Sequence, residues 1–487
     1  MDKLKYKALT FDDVLLLPKY SDFLPSEASI ESKLTKNIIL KTPLISAAMD
    51  TVTESKMAIS LAETGGIGII HKNNSIDEQA ALVKAVKKYE SGIVRDPVTI
   101  NSKQTIGELK QLTNELSISG MPVVDDGKLK GIVTSRDFRY AENMESKVSS
   151  IMTSFEKLIT VEEGFSQQDV MQLMYKNRIE KILVLDNDKN LSGLVTMKDI
   201  EKSAQHPNAT KDSSGRLQVG AALGTSEDTI DRAKALFKSG VDVFVVDSAH
   251  GHSKNVIDTI KALKEKFRDV DIIGGNIATA EAATELVKAG ADAVKVGMGP
   301  GSICTTRIIA GIGVPQISAI LEIKKALVGR DINIIADGGI RFSGDIAKAI
   351  AAGADSVMLG SLFAGTEEAP GKVELFQGRS FKTYRGMGSI GAMTERDDAN
   401  RYLQEDVETD KLVPEGIEGR VPYKGLVVNV INQLVGGVRQ SMGYIGCKNI
   451  KDMQNNSQFV EITNAGMTES HVHDVMITKE APNYQRS

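Results

Sequence analysis

Residues Gly297 to Arg307 read GMGPGSICTTR, and they place Cys304, one of only two cysteines in 487 residues, where chemistry could happen. Three alternating glycines (Gly297, Gly299, Gly301) come before the thiol, and Thr305, Thr306 and Arg307 follow it. A structural cysteine usually lies on an apolar strand or helix face; this one lies in a loop that is mostly backbone. Glycines leave N–H and C=O groups bare for a ligand or ion. A thiol whose pKa is lowered by local charge or dipoles becomes a nucleophile. The spacing is not a dinucleotide fingerprint. Gly297 and Gly299 match its start, but Ser302 stands where the third glycine belongs and no helical pattern follows directly. Spacing alone leaves a catalytic and a structural cysteine equally open. The other thiol, Cys447 in MGYIGCKNI, lacks these surroundings and reads as filler near a turn.

Two further loops carry usable groups, ADGGIRFSGD from Ala336 and MLGSLFAG from Met358. Gly338, Gly339 and Gly360 would let a phosphate approach the backbone, and Ser361 adds a hydroxyl. Asp337, at the end of an apolar run, could accept two hydrogen bonds from a ribose diol. The stretch over residues 374–424 is rich in Gly and charge and shows little periodicity, which predicts a mobile lid.

These groups need elements to hold them. Eight short apolar runs recur, from Pro43, Gly66, Leu217, Val243, Asp271, Ala293, Ile332 and Ser356, most followed by a helical pattern. In SEDTIDRAKALFKSG, Ile230, Ala233 and Phe237 fall on one helical face and Gly240 suits the stop. Eight strand–helix units predict an α/β fold, a closed (β/α)8 TIM barrel rather than an open doubly wound sheet. Asp247, Asn276, Gly297, Asp337 and Ser361 all fall at the C-terminal ends of runs, the rim where barrel enzymes keep their sites.

An insertion separates the second and third units. Residues 1–91 are read as the first part of the barrel, 92–203 as the insertion and 204–487 as the remainder, and QHPNATKDSSG from Gln205 is read as a linker. The insertion repeats internally. Each half runs strand, helix, strand, acidic turn, strand, and ends in TSRD or TMKD. It resembles a tandem pair of CBS modules (a Bateman domain), which implies adenine or guanine nucleotides as effectors, held by Thr134, Asp137, Thr196 and Asp199. A Thr-x-x-Asp after a strand is equally an ordinary helix cap.

Composition excludes other classes. Net charge is −5 and the basic residues are scattered, so nucleic acid is not expected as a main partner. No run of about 18 apolar residues and no apolar leader are found, so neither a membrane span nor a signal peptide is expected. Two cysteines make no disulfide framework, and a reducing cytoplasm is the expected location.

FDDVLLLP, AAMDTVTE, GGIGIIHKN, GMGPGSICTTR, IADGGIR, YRGMGS, RYLQ, VPEGIEGRVPYKG and ITKEAPNY resemble the inosine 5′-monophosphate dehydrogenases along essentially the whole chain. The resemblance implies oxidation of IMP to xanthosine monophosphate with NAD+ and water, in guanine nucleotide biosynthesis, through a covalent thioimidate on Cys304. It assigns phosphate contacts to Ser302, Gly339, Gly360, Ser361 and Tyr384, and the ribose hydroxyls to Asp337. Met387, Gly388 and Glu415 are implied at the purine edge, with Met49 packing nearby. Asp247, Ser248, Asn276 and Gly297 are implied at the NAD+ site, Thr306 beside the reacting base, and Arg401 and Tyr402 at the hydrolytic water. It further implies K+, held by carbonyls of Gly299, Gly301 and Cys304 and by a neighbouring subunit's Glu469, Ser470 and His471. The resemblance also implies a homotetramer, since a site completed by a neighbour cannot work in a single chain, with an octamer as a further assembly.

Two rival readings remain. Guanosine monophosphate reductase, which uses NADPH, shares the cysteine loop; Arg401, Tyr402 and the insertion favour the dehydrogenase. A nucleotide-sensing regulator on an inactive barrel is the reading from a different class, and the set Cys304, Thr306, Asp337 and Arg401 argues against it.

Overall fold

All eight apolar runs become strands of one closed parallel barrel. They are β1 (Leu44–Ser46), β2 (Ile67–Ile70), β3 (Gly220–Leu223), β4 (Val243–Asp247), β5 (Asp271–Ile277), β6 (Ala293–Val296), β7 (Asn333–Asp337) and β8 (Ser356–Leu359). Each strand pairs in parallel with its neighbours in chain order, and β8 returns to β1. This computed structural model describes residues 3–89, 94–95, 97–116, 118–197, 200, 205–395 and 411–484. The strands are mostly apolar because helices cover their outer faces while their inner faces meet at the barrel axis. Ile45, Ile67, Ile69, Ala222, Val243, Val245, Ile273, Ala293, Ile335 and Met358 form a single core cluster.

A short antiparallel hairpin, Ser32–Lys33 with Ile39–Leu40, joins that cluster through Leu34, Ile38 and Leu40. Thr35 Oγ1 and Asn37 Nδ2 both donate to the Asp271 carboxylate, at 2.5 and 2.8 Å. Because Asp271 begins β5, the hairpin closes the N-terminal end of the barrel. The C-terminal rim is left for a ligand.

Helical expectations need one adjustment. The helix Thr229–Lys238 buries Thr229, Ala233 and Leu236, while Phe237 is 51% exposed and rests on the Phe267 ring at 5.4 Å. The stripe that packs on the barrel therefore runs i, i+4, i+7 from Thr229, one residue away from the expected face.

Residues 374–424 also differ from the expected aperiodic lid. Both flanks join an antiparallel sheet of β9 (Val373–Phe376), β10 (Arg379–Arg385) and β11 (Glu418–Pro422). Gln377 and Gly378 turn the hairpin with φ of 49° and 74°, the paired left-handed geometry of a tight two-residue loop. Sequence periodicity missed β9 because all four of its residues are exposed and show no alternation. Residues 396–410 lie outside the described residues.

The chain divides into two units. One comprises 1–87, 208–212 and 217–487, and the other 88–207 and 213–216. The second unit has two similar halves. Each packs a helix (Ile106–Glu115 or Gln167–Asn177) on antiparallel strands joined by a tight turn. Leu129, Ile132, Leu183, Leu185 and Leu194 form a core shared by both halves.

The QHPNATKDSSG linker is held more firmly than expected. Thr210 is buried, its N–H donates to Ala62 O at 2.8 Å, and Asp212 pairs with Lys87 at 3.0 Å. Lys87 is itself buried and also pairs with Asp242 at 2.8 Å. Burial pushes the Asp242 carboxyl above the usual range, and the nearby Lys87 ammonium opposes that rise. Lys87→Met leaves two carboxylates without their shared cation, so stability is expected to fall by about 3 kcal/mol or more. Denaturant unfolding followed by circular dichroism measures it; an unchanged midpoint contradicts the assignment.

Candidate active site

Six of the eight strands, β1 and β4 to β8, end on a cavity at the C-terminal rim. Its wall includes Met49, Asp247, Asn276, Lys295, Gly297, Ser302, Cys304, Thr306, Asp337, Tyr384 and Glu415. The backbone must come very close here. A Cβ on Gly297 would lie 2.0 Å from Asp337 O, so only glycine lets β6 leave beside the end of β7. Gln316 donates from Nε2 to Val296 O at 2.8 Å and to Asp337 O at 3.2 Å, which ties both strand ends together.

The cysteine loop is held from both sides. Arg307 donates from Nε to Met298 O at 3.1 Å and from Nη2 to Val314 O at 2.6 Å. Cys304 N donates to Gly301 O at 3.1 Å, Thr305 N to Glu415 O at 3.0 Å, and Ile417 N to Ile303 O at 3.1 Å. The loop is therefore stitched to the segment over residues 415–417. The Cys304 thiol, partly exposed, donates to Thr306 Oγ1 at 3.2 Å, and that hydroxyl donates to Glu415 Oε2 at 2.7 Å. A thiol, a hydroxyl and a carboxylate in line can pass the sulfur's proton to the carboxylate. Cys447, in contrast, is buried, and burial pushes its thiol up.

Opposite the sulfur lies a floor of charge. Asn276 donates from Nδ2 to Gly297 O at 2.8 Å and to Asp337 Oδ2 at 2.9 Å. Lys295, fully buried, contacts Asp247 at 3.0 Å and Asp337 at 2.7 Å and donates to Asn276 Oδ1. Sequence reading passed over Lys295 and Gln316. A lysine inside the apolar strand AVKV was the available signal, because an ammonium in a barrel interior requires partners.

Near Gly360 and Ser361, Tyr384 is buried and hydrogen-bonded to Ser302; burial pushes its phenol up to about 12. It keeps its proton across the physiological range and can donate to an anion. Asp50 binds Arg385 at 2.6 Å and Asn73 at 2.7 Å, anchoring β10 on the loop after β1 that carries Met49.

Most of the expected site residues meet in this cavity: Met49, Asp247, Asn276, Gly297, Gly299, Gly301, Ser302, Cys304, Thr306, Asp337, Gly339, Gly360, Ser361, Tyr384, Met387 and Glu415 all line it. Ser248 does not. It is buried behind the rim, where its N–H donates to Gly275 O at 3.0 Å. Gly388 also stands back, accepting from Glu415 N at 3.0 Å, and so supports Glu415. Glu469 and Ser470 end the short helix Asn464–Ser470, and His471 contacts Tyr484 OH at 3.1 Å; none of the three lines the cavity of their own chain. Arg401 and Tyr402 lie outside the described residues.

In the inserted unit, Thr134 and Asp137 line a second cavity with Arg136, Lys157 and Lys181. They also cap a helix, since Thr134 N and Oγ1 both donate to Asp137 Oδ2, at 2.7 and 2.9 Å. Asp199 lies outside the described residues. Among the described residues no helix is long and apolar enough to cross a membrane.

Comparison with known proteins places these residues in context. The IMP dehydrogenase / GMP reductase domain matches residues 8–473. The chain is similar to inosine-5′-monophosphate dehydrogenase of Haemophilus influenzae, with 55% identity over 99% of each chain. It is also 54% identical to the Escherichia coli enzyme of that name, over 100% of this chain and 99% of the other. Among solved structures, a cysteine-to-alanine variant of GMP reductase from Trypanosoma brucei, in complex with guanosine 5′-monophosphate, superposes with a TM-score of 0.86 at 42% identity. That match covers 97% of this chain and 99% of the other, so the insertion does not by itself separate the two activities as the sequence reading expected.

Proposed function

The chain belongs to the IMP dehydrogenase / GMP reductase family, and from this premise we propose that it oxidises IMP to xanthosine monophosphate in guanine nucleotide biosynthesis, with NAD+ as oxidant. Full-length identity near 55% to dehydrogenases, against 42% to the reductase, favours oxidation. The observation that carries the reading is the line from Cys304 Sγ through Thr306 to Glu415.

That line lets Glu415 take the thiol's proton as the sulfur bonds to carbon 2 of the purine. The carbon becomes tetrahedral and can release its hydrogen with both electrons. Bound NAD+ supplies the acceptor for that hydride. A thioimidate then joins Cys304 to the nucleotide. Water adds to carbon 2 and the C–S bond breaks, returning the electron pair and a proton to sulfur. We assign activation of that water to Arg401 and Tyr402. Asp337 accepts from the ribose hydroxyls, and Ser302, Gly339, Gly360, Ser361 and Tyr384 surround the phosphate. Met387 and Glu415 face the purine edge, and Asp247, Asn276 and Gly297 form the cofactor side. Asp247, Asn276 and Gly297 line the same cavity as Cys304, which supports a cofactor bound beside the sulfur.

Potassium also belongs to this proposal. The carbonyls of Gly299, Gly301 and Cys304 suit a monovalent cation, but three oxygens fall short of a full shell. Glu469, Ser470 and His471 of a second copy complete it, so the working form is an oligomer, and a homotetramer is the assembly proposed. Thr134 and Asp137 in the second cavity favour a nucleotide effector on the CBS-like unit, and the working compartment is the cytoplasm.

The direct test mixes the protein with IMP and NAD+ and follows NADH absorbance. NADH formation is expected. Consumption of NADPH with guanosine monophosphate, and none of the first reaction, reverses the choice; nucleotide binding without either reaction leaves the regulator.

A further inference from the structure

The buried charge array beneath the cavity contains an imbalance. Four adjacent strands contribute to it: Asp247 ends β4, Asn276 lies on β5, Lys295 on β6 and Asp337 ends β7. The Lys295 side chain is 2% exposed, and its ammonium reaches all three partners. One cation thus holds two carboxylates, and the second, Asp337, also receives Asn276 Nδ2 at 2.9 Å. In a low-dielectric setting such carboxylates repel each other unless a cation sits between them. Lysine has three N–H donors, and three acceptors surround it here. Its position on the barrel wall is therefore fully determined by the groups it orients.

We infer that Lys295 is the positioning residue that sets the ribose acceptor Asp337 and the cofactor-side pair Asp247 and Asn276 in a single geometry, so that one side chain governs both substrate sites. The inference rests on the proposed oxidation of IMP and deepens it. In that reading Asp337 serves the nucleotide and Asp247 the dinucleotide; Asn276 touches Asp337 from the cofactor side, and Lys295 contacts both carboxylates and that amide. Lys295 acts through its neighbours; the ribose meets Asp337, whose side chain is 19% exposed to the cavity.

Removal of the ammonium has a signature in pH. The ionisable groups facing Lys295 are Asp247 and Asp337, with Asn276 neutral between them; Cys304, Glu415 and Tyr384 are the further ionisable side chains of the same cavity. In Lys295→Met the two carboxylates share a buried space without a cation. One of them then holds a proton at neutral pH, and a protonated carboxyl is a poorer acceptor for a diol. Raising the pH removes that proton, so activity of the variant climbs toward the parent's on the alkaline side. Lys295→Met combined with Asp247→Asn removes one carboxylate along with the cation and abolishes that extra ionisation.

The experiment measures KM for IMP and for NAD+, and kcat/KM against pH, in the parent, Lys295→Met and the double variant. In the single variant both KM values are expected to rise by about tenfold or more, with the acid limb of the pH profile moved to higher pH. In the double variant the acid limb returns to the parent's position and KM for IMP recovers, while KM for NAD+ stays raised. If the single variant does not fold, the charge-balanced double variant is read alone: split KM values support the inference, and KM values both equal to the parent's overturn it. Unchanged KM values in a folded Lys295→Met, or a loss equal in both variants with no pH displacement, also overturn it. A parent protein that forms no NADH sinks the proposed oxidation itself, so the two failures are distinguishable.

Discussion

Cys304→Ala is expected to abolish turnover, by about 10^4-fold or more, because among the described residues no other thiol lines the cavity to bond carbon 2 of the purine and let hydride leave. The variant should still bind IMP within about threefold of the parent, since the thiol contributes little to ground-state recognition compared with the ribose and phosphate contacts. Its fold should persist: Cys304 is partly exposed, and the loop is held through backbone bonds to Gly301 and to residues 415–417. Steady-state NADH formation and calorimetric IMP binding measure the two quantities. Mass spectrometry of the quenched parent should find the nucleotide adduct on the Cys304 peptide. Turnover near the parent's in the variant removes covalent catalysis from the account.

Asp337→Ala should be nearly as severe. Its carboxylate is the acceptor proposed for both ribose hydroxyls, and a site built to bind a diol loses about 10^3-fold in kcat/KM, or about 4 kcal/mol, when that acceptor goes. Lys295 keeps Asp247 as a counter-ion at 3.0 Å, so no buried cation is orphaned. The chemical signature is specificity. The parent should discriminate against 2′-deoxy-IMP, and the variant should discriminate far less. Undiminished discrimination in Asp337→Ala contradicts the ribose assignment whatever happens to the rate.

Particular residues show how far reading along the chain can go. Asp247, Asn276, Gly297, Asp337 and Ser361 were legible because each follows an apolar run, and in a parallel barrel the end of such a run is the rim. Gly297 in particular is demanded by the 2.0 Å approach of Asp337 O, a close contact that glycine in a loop already signals. Lys295 was not legible. Within AVKV it is one polar letter, and its partners lie 19, 42 and 48 positions away at Asn276, Asp337 and Asp247. The line from Thr306 to Glu415 spans 109 positions and exists only because the segment over residues 415–417 pairs with the cysteine loop. Ser248 was less legible: it follows the last residue of β4, is buried, and its Oγ accepts from His250 N at 3.2 Å in the loop beyond the strand.

By itself the sequence determined the eight-strand alternation, the inserted repeat and the chemistry available at Cys304. Apolar runs with polar or glycine ends are a local property, and a thiol among glycines needs no distant partner to be noticed. Only the tertiary structure decided which carboxylate stands in line with the sulfur, that a buried ammonium joins the two carboxylates of the floor, and that the flanks of residues 374–424 are a sheet. Each of these depends on groups far apart in the chain meeting where water is excluded, and the energy of a buried charge is set by its neighbours in space.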